Sequence, residues 1–391
     1  MELPRTADAI VIGGGVIGSS IAFHLAQKKV GKVVLLERKH LAAGSTGTSS
    51  GLVRMHYDCP LEAEIALKSF EVFRHFDEFV GGDCGFVQTG FVRTVEPHNQ
   101  ENLKANVEML QGLGVNTRLI SGDELSEMAP YLQTEDIPLA AFEPDSGYAD
   151  PHMTTMGFAN AARRLGARVF QGVEVTGLEL NGQRVRGVQT SEGEIAAPLV
   201  VNATGPWAGL VAAMGGLELD VTIMHHQVAV VETPEDVPWP HLTVIDRLHL
   251  TYLRPESGRL TLIGASHDNY AIGPEKLDHH SESLTYATQY RVLEHLCERI
   301  PRMEDGAARR GHAGIYLNSA DKHALLGPVP GAEGLHCAVG FSGHGFKEAP
   351  AVGQAMAEWM VDGRPESVDL TPLRLTRFEE GAPVQVPHSY T

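Results

Sequence analysis

An apolar run, Ala9-Ile10-Val11-Ile12, leads directly into Gly13-Gly14-Gly15-Val16-Ile17-Gly18. A helical stretch from Ser19 to Lys28 follows, then a second apolar run, Val33-Val34-Leu35-Leu36, that ends on Glu37. No other feature narrows the fold of this chain as much. Two apolar strands joined by one helix make a parallel pair with a right-handed crossover. Each glycine of the GxGxxG spacing has a mechanical reason: Gly13 permits the tight turn, Gly15 lets a pyrophosphate approach the backbone, and Gly18 lets the helix lie close on the strand. The free amides and dipole at the helix start favour an anion. Glu37 falls roughly 20 residues after the last glycine, where an acid can accept both hydroxyls of an adenosine ribose. The unit predicts dinucleotide binding.

A chain of 391 residues is long for one domain and suits two domains sharing a core. The formal net charge of −18 argues against nucleic acid or an anionic membrane as a partner. No apolar run reaches the length of a membrane span. The N-terminal apolar stretch reads as a strand and not as a signal peptide. Cys59, Cys84, Cys297 and Cys337 lie far apart without a CxxC, which suits reduced thiols in a cytoplasmic protein better than a disulfide frame or a zinc site. His225-His226 would point to opposite faces of a strand and His279-His280 precedes a helix, so no metal site is expected.

Beyond Glu37, a small-residue loop from Ala42 to Gly51 leads to Leu52-Val53-Arg54. Pro60 to Phe79 reads as an amphipathic helix, Asn99 to Leu113 as another, and Ser121-Gly122-Asp123-Glu124 as a capping box. Asp150-Pro151 opens a helix that runs to about Leu165. Strands are expected at 173–176, 185–188 and 199–202, the last ending in a turn at Ala203-Thr204-Gly205-Pro206-Trp207. Residues 219 to 265 are strand-rich and Ser281 to Arg299 is helical. A glycine loop, Gly340-Phe341-Ser342-Gly343-His344-Gly345-Phe346-Lys347, precedes a final helix from Ala349 to Val361, and the tail from Pro383 looks loosely held. The order suggests a nucleotide domain in three pieces (1–84, 148–218 and 318–391) with a sheet-rich domain inserted twice (85–147 and 219–317).

Four of these motifs, in this order, carry a resemblance over nearly the whole chain: the fingerprint with Glu37, the Gly44-Ser45-Thr46 loop leading to Arg54, the Asn202-Ala203-Thr204-Gly205 turn, and Phe341 to Lys347. The chain resembles the FAD-dependent amine and amino-acid oxidoreductases of the D-amino-acid oxidase superfamily, in its sarcosine oxidase and dimethylglycine dehydrogenase branch. The resemblance implies an α/β (α+β mixed) fold: a Rossmann-like FAD-binding domain with an inserted substrate domain on a mixed, largely antiparallel sheet. It implies FAD contacts from Gly13, Gly15, Val16, Ile17, Gly18, Glu37 and Arg38, and from Gly44, Ser45, Thr46, Gly51 and Leu52. Val173 would offer backbone groups to the adenine. Ala203, Thr204, Gly205, Trp207 and Gly314 would add contacts, and Gly340, Gly343, His344, Gly345, Phe346 and Lys347 would line the flavin side.

Arg54 and Lys347 match the family's two cations that clamp a substrate carboxylate, and a guanidinium fork is the best single group for one. Tyr252, His267 and Tyr316 align with residues around the substrate. Two positions depart from the family. Gly314 stands where some relatives carry a flavin-tethering cysteine, which implies noncovalent FAD. Counting back from His267, Ile263 stands where an oxygen-activating lysine is expected, which leaves oxidase and dehydrogenase both open. The implied activity is oxidation of the C–N bond of a small amino acid or N-methyl amino acid to an imine, then hydrolysis. The alternatives are a flavin-holding subunit of an amine or proline dehydrogenase complex, with a protein electron acceptor or partner subunits, and an NAD-dependent dehydrogenase.

Overall fold

The computed structural model describes residues 2–266 and 269–390. Its first layer is a six-stranded sheet that draws its strands from three separate parts of the chain. Ala9–Ile12 pairs in parallel with Val33–Glu37 on one side and Leu199–Asn202 on the other. Arg168–Gln171 and Leu335–Val339 extend the parallel set, and Leu325–Pro328 closes one edge antiparallel.

The opening apolar runs are continuous because both faces of this sheet are covered. Ala9, Val11, Val33 and Leu35 face a helical layer that includes Val16–Gln27, Pro151–Arg164 and Gly345–Asp362. Ile10, Ile12, Val34 and Leu36 face a three-stranded antiparallel sheet, Val175–Asn181, Arg184–Thr190 and Gly193–Ala196. The helices Val16–Gln27 and Gly345–Asp362 cross at Gly353, where a Cβ would stand 2.0 Å from Ser20 Oγ.

The second large sheet has nine strands, from residues 91–143 and 221–319. Its long strands Val221–Glu232 and Ala308–Ser319 pair antiparallel, and Thr243–Asp246 pairs in parallel with Phe91–Thr94. Its register lays Arg93, Ile245, Tyr252 and Gly264 directly opposite one another across four strands. The neighbouring row, Val92, Val244, Leu253 and Ile263, has the other face and packs with Val292 and Leu296 of the helix Tyr286–Arg299.

Local chemistry sets the helix boundaries. Ser121 Oγ accepts from Glu124 N at 3.1 Å, and Asp150 Oδ1 accepts from Met153 N at 2.7 Å. Three expectations need correction. The helix from Pro60 breaks at His75 into Pro60–Arg74 and Phe76–Phe79. The helix expected from Ser281 starts at Tyr286, where Thr285 caps it. The final helix starts at Gly345, one turn earlier than expected, which puts Lys347 in its first turn.

The tail is not loose. Asn99, Asn102 and Asn106 lie at i, i+3 and i+7 along one helix face. Each donates its amide to a tail carbonyl, Tyr390 O at 3.2 Å, Ser389 O at 2.8 Å and His388 O at 2.8 Å. The Tyr390 side chain is buried, with its hydroxyl 2.7 Å from His56 Nε2.

Gly353→Ala should overpack this helix crossing and destabilise the protein by about 1–3 kcal/mol, read as a lower thermal unfolding midpoint. Gly209→Ala, in a helix where a Cβ meets nothing within 4 Å, should leave the midpoint unchanged or slightly raised.

Candidate active site

One cavity of about 560 Å³ opens at the carboxyl ends of the parallel strands and runs to the inner face of the nine-stranded sheet. Ligands collect at this edge in open α/β sheets. Its first end is a backbone cradle. Gly13, at φ 107°, has the Ala203 carbonyl 2.5 Å from where a Cβ would sit, and a Cβ on Gly18 would lie 2.0 Å from the Gly13 carbonyl. These two glycines let strand, turn and helix touch. Gly15 differs: its missing Cβ would meet only Thr46 Oγ1, at 3.1 Å, and the residue lines the cavity. The residue before the helix gives it no side-chain cap, and Thr46 Oγ1 takes only the Val16 amide, so the amides that follow stay available to an anion.

Glu37 closes the cradle. Its carboxylate accepts from Gly14 N at 2.8 Å and Lys39 N at 2.7 Å, which fixes its plane and leaves lone pairs toward the cavity. Arg38 pairs with Asp278 and stacks 4.5 Å from the Trp207 ring, and the Trp207 indole donates to Asp278 at 3.0 Å. Asn202 builds the next turn by accepting from Thr204 N at 3.2 Å and Thr204 Oγ1 at 2.6 Å. Thr46 Oγ1 accepts from Val16 N at 3.1 Å, and Ser45 donates to the Ile315 carbonyl, so the small-residue loop ties the two sheets together.

Of the residues expected around a cofactor, only Gly18 and Gly51 do not line the cavity. Gly18 lies behind it for the packing reason just given. Gly51, at φ 66°, makes room for the Ala149 carbonyl, 2.3 Å from a would-be Cβ. Val173 lines the cavity, but its N–H already donates to the Glu37 carbonyl at 3.0 Å, so it can offer an adenine only its carbonyl.

The other end is cationic. Arg54 is buried, donates to the His56 carbonyl and stacks 4.5 Å from the Tyr57 ring. Lys347 Nζ lies 5.8 Å from the same ring. Among the described residues neither has a carboxylate within 4 Å. Burial, reinforced by the Arg54 charge, pulls the Lys347 ammonium down to about 7. Behind them, Tyr57 OH donates to Glu348 Oε1 at 3.0 Å, and burial beside Glu62 pushes Glu348 up to about 8. Glu62 is held well below its usual range despite burial by His344 and His323, with His323 Nδ1 at 2.7 Å. Behind Arg54, burial raises Glu143 to about 7.

The sequence reading passed over His226. It lines the cavity, with Nε2 2.7 Å from Tyr252 OH and Nδ1 2.6 Å from Asn269 Oδ1, and Asn269 Nδ2 donates to Tyr316 OH at 3.1 Å. Burial lowers the His226 pKa, so the ring is neutral near pH 7. His225 faces the opposite way, against Ser281 and Tyr270. The signal was the period of two: 224, 226 and 228 share a face, and Val228 pairs with Gly264, itself opposite Tyr252. His267 lies outside the described residues.

Ile263 needs correction. It is fully buried on the helix-covered face with Val292, and lines no part of the cavity. Its partner row differs from that of Tyr252 by one residue, which in a strand means the opposite side. The side chain at 263 therefore does not face the cavity.

Residues 8–359 match the family described as FAD dependent oxidoreductase (DAO). The chain belongs to the DAO family of FAD-dependent oxidoreductases. Mouse mitochondrial sarcosine dehydrogenase is 30% identical over 96% of the chain, and human mitochondrial dimethylglycine dehydrogenase 29% over 95%. The chain spans 42% and 45% of those two proteins' lengths. The crystal structure of L-proline dehydrogenase from P. horikoshii superposes with a TM-score of 0.89 at 29% identity, covering 97% of this chain and 100% of that one.

FAD fits the DAO cavity on three observations: the open space at Gly15, the helix-start amides beyond Val16, and a glutamate oriented by two backbone amides. The nicotinamide alternative falls with the family assignment. No cysteine lines the cavity among the described residues, and at Gly314 a Cβ would sit 2.1 Å from Thr48 Oγ1. No tethering side chain fits there without moving Thr48. The cofactor is FAD.

Gly15→Val should fill the cradle and strip the protein of FAD. The expected result after gel filtration is loss of the flavin absorbance with an unchanged far-ultraviolet circular dichroism spectrum. Retained flavin at full stoichiometry would exclude the cradle as the pyrophosphate site.

Proposed function

We propose that this chain oxidises the C–N bond of a small carboxylate-bearing amine, an amino acid or N-methyl amino acid, to an imine that water hydrolyses to an aldehyde or oxo acid plus an amine. One observation carries the reading. Arg54 and Lys347, from opposite ends of the sequence, converge on one ring at one end of the FAD cavity without an anionic partner. Two buried cations left without an acid are a binding site for one. The sarcosine, dimethylglycine and L-proline dehydrogenases among the relatives are named for amines that carry such a carboxylate.

FAD supplies the two-electron acceptor. The Gly13–Gly18 turn, Glu37 and the loop 44–46 would hold its nucleotide end, and the Gly340–Lys347 segment its flavin end. The first amides of the helix Gly345–Asp362, which has no side-chain cap, favour negative charge on the cofactor. Arg54 and Lys347 fix the carboxylate, which sets the carbon beside nitrogen against the cofactor and leaves the amine toward Tyr252 and His226. A substrate ammonium must lose a proton before its lone pair can form the C=N bond. Tyr252 OH and the neutral His226, 2.7 Å apart, provide a path for that proton. The six-stranded sheet lies wholly within 1–84, 148–218 and 318–391, and the nine-stranded sheet, but for two residues, within 85–147 and 219–317. We take the first set as the FAD-binding domain and the second as the substrate domain.

Arg54→Ala should raise KM for carboxylate amines by about 100-fold, the loss of one charge-assisted bidentate contact, while the protein stays yellow. An unchanged KM, or loss of the flavin instead, would exclude the clamp. Mixing the oxidised enzyme anaerobically with amino and N-methylamino acids should bleach the flavin for the true substrates. The rate of recovery in oxygen then separates oxidase from dehydrogenase.

Carboxylate affinity should also depend on pH. Lys347 holds its proton below about 7, so the dissociation constant of a non-oxidisable carboxylate should be flat there. Above it the constant should rise by at most about tenfold per pH unit as the charge is lost. Ionisation of Glu348 at about 8 adds in the same direction. Lys347→Met should flatten the rise that begins near 7, measured by flavin absorbance between pH 6 and 9.

A further inference from the structure

We propose that Arg93 and Arg247 form a second anion site in the same cavity, beyond Arg54 and Lys347, and that the substrate is an amine with two carboxylates. The proposal rests on the carboxylate clamp and goes further by naming the substrate class.

Strand geometry brings the two arginines together. Ile245 lies directly opposite Arg93, and Arg247 follows two residues later, on the same face. Its backbone N–H donates to Thr94 Oγ1 at 2.9 Å, which pins it beside the neighbouring strand. Both arginines line the cavity. The acid just before Arg247 is turned away: Asp246 accepts from Thr94 Oγ1 at 3.1 Å, His249 Nδ1 at 2.8 Å and Arg299 Nε at 2.7 Å.

Neither arginine has an ion-pair partner among the described residues, and the Nε of each is buried without a hydrogen bond. The fully buried Arg254, Arg299 and Arg377, by contrast, each hold a carboxylate within 3 Å. Arg93 is held instead by an aromatic face, 4.2 Å from the Tyr390 ring. Asp58, the acid that bears on it, accepts from Tyr390 N at 3.3 Å and stays outside ion-pair distance.

The charges lining the cavity are sorted by position. Its acids, Glu37, Glu174 and Asp278, belong to the nucleotide end, where Asp278 already pairs with Arg38. Among the described residues, Lys347, Arg54, Arg93 and Arg247 meet no cavity-lining acid at the other end, in a protein of net charge −18. Their mutual repulsion shows in Arg93, which burial and the Arg54 and Arg247 charges pull down to about 10. One carboxylate answers Arg54 and Lys347 and leaves Arg93 and Arg247 unneutralised. A second carboxylate on the same ligand answers both pairs, and a fork is the geometry that binds one.

The test uses the FAD-loaded enzyme at fixed ionic strength, with acetate, malonate, succinate and glutarate titrated against flavin absorbance. At least one diacid should bind 30-fold or more tighter than acetate, roughly the return of one further charge-assisted contact. The preferred chain length reports the span between the two sites. Arg93→Met and Arg247→Met should each collapse that ratio about tenfold, Arg93→Lys should keep most of it, and Arg54→Met should weaken acetate and diacids alike. For turnover, iminodiacetate should bleach the flavin at lower concentration than sarcosine, from which it differs by one added carboxylate. Diacids no tighter than acetate, with Arg54→Met still weakening both, would overturn the second site and leave the clamp standing. No effect of Arg54→Met on any ligand would overturn the clamp itself. A diacid preference that vanishes in high salt but survives both methionine variants would mean long-range steering and would also overturn the second site.

Discussion

Gly13 and Gly18 touch so closely that no side chain fits between them, and the rest of the site is built outward from that contact. The close approach aims the amides of the first helix into the cavity, with only the Val16 amide taken by a side chain. It also brings the first strand level with Val33–Glu37, so that Glu37 reaches back to the Gly14 amide. A glutamate committed to two backbone amides cannot swing away when the cavity changes its contents. The same turn receives Thr46 from the following loop, and that loop reaches the nine-stranded sheet through Ser45. Cofactor cradle and substrate face are therefore positioned by one continuous stretch of backbone contacts.

On that opposite wall the governing term is buried charge. Lys347 begins a helix, where the dipole disfavours a cation, and it lies beside Arg54 without an acid in reach. The arrangement persists because acids stand one layer back. Glu62, ionised and tied to His323, offsets the charge without neutralising it, while Glu348, held by Tyr57, keeps its proton below about 8. Had either acid moved forward into ion-pair distance, the fold would gain stability and the cavity would lose its appetite for a carboxylate. Stability is given up locally for binding.

The sequence revealed the parts of this design that follow a period or a cap. The GxGxxG unit, the capping serine at 121, the Asp150-Pro151 start and the cationic pair at 54 and 347 could all be read directly, because each depends on neighbours within a few residues or on a family pattern. What escaped depends on register between distant strands. Ile263 and Tyr252 are on opposite sides of the same sheet, and only the pairing with Gly264 and Leu253 shows it. Sequence alone sets His226 beside His225 and only rejects the two as a metal pair, while its true partners, Tyr252 and Asn269, lie 26 and 43 residues away. The asparagines at 99, 102 and 106 look like an ordinary polar helix face until the tail lies across them.

That strapped tail has a consequence for the chemistry at the opposite end of the molecule. Tyr390 presents its ring to Arg93 and its hydroxyl to His56, and His56 in turn supplies the carbonyl that Arg54 holds. A guanidinium placed by a ring and a carbonyl is oriented without being neutralised, since neither partner carries charge. The same principle serves Arg54 over Tyr57. An aromatic face holds Arg93, and an aromatic face and a backbone carbonyl hold Arg54, where carboxylates would otherwise do so, and that substitution keeps their charge available to a ligand.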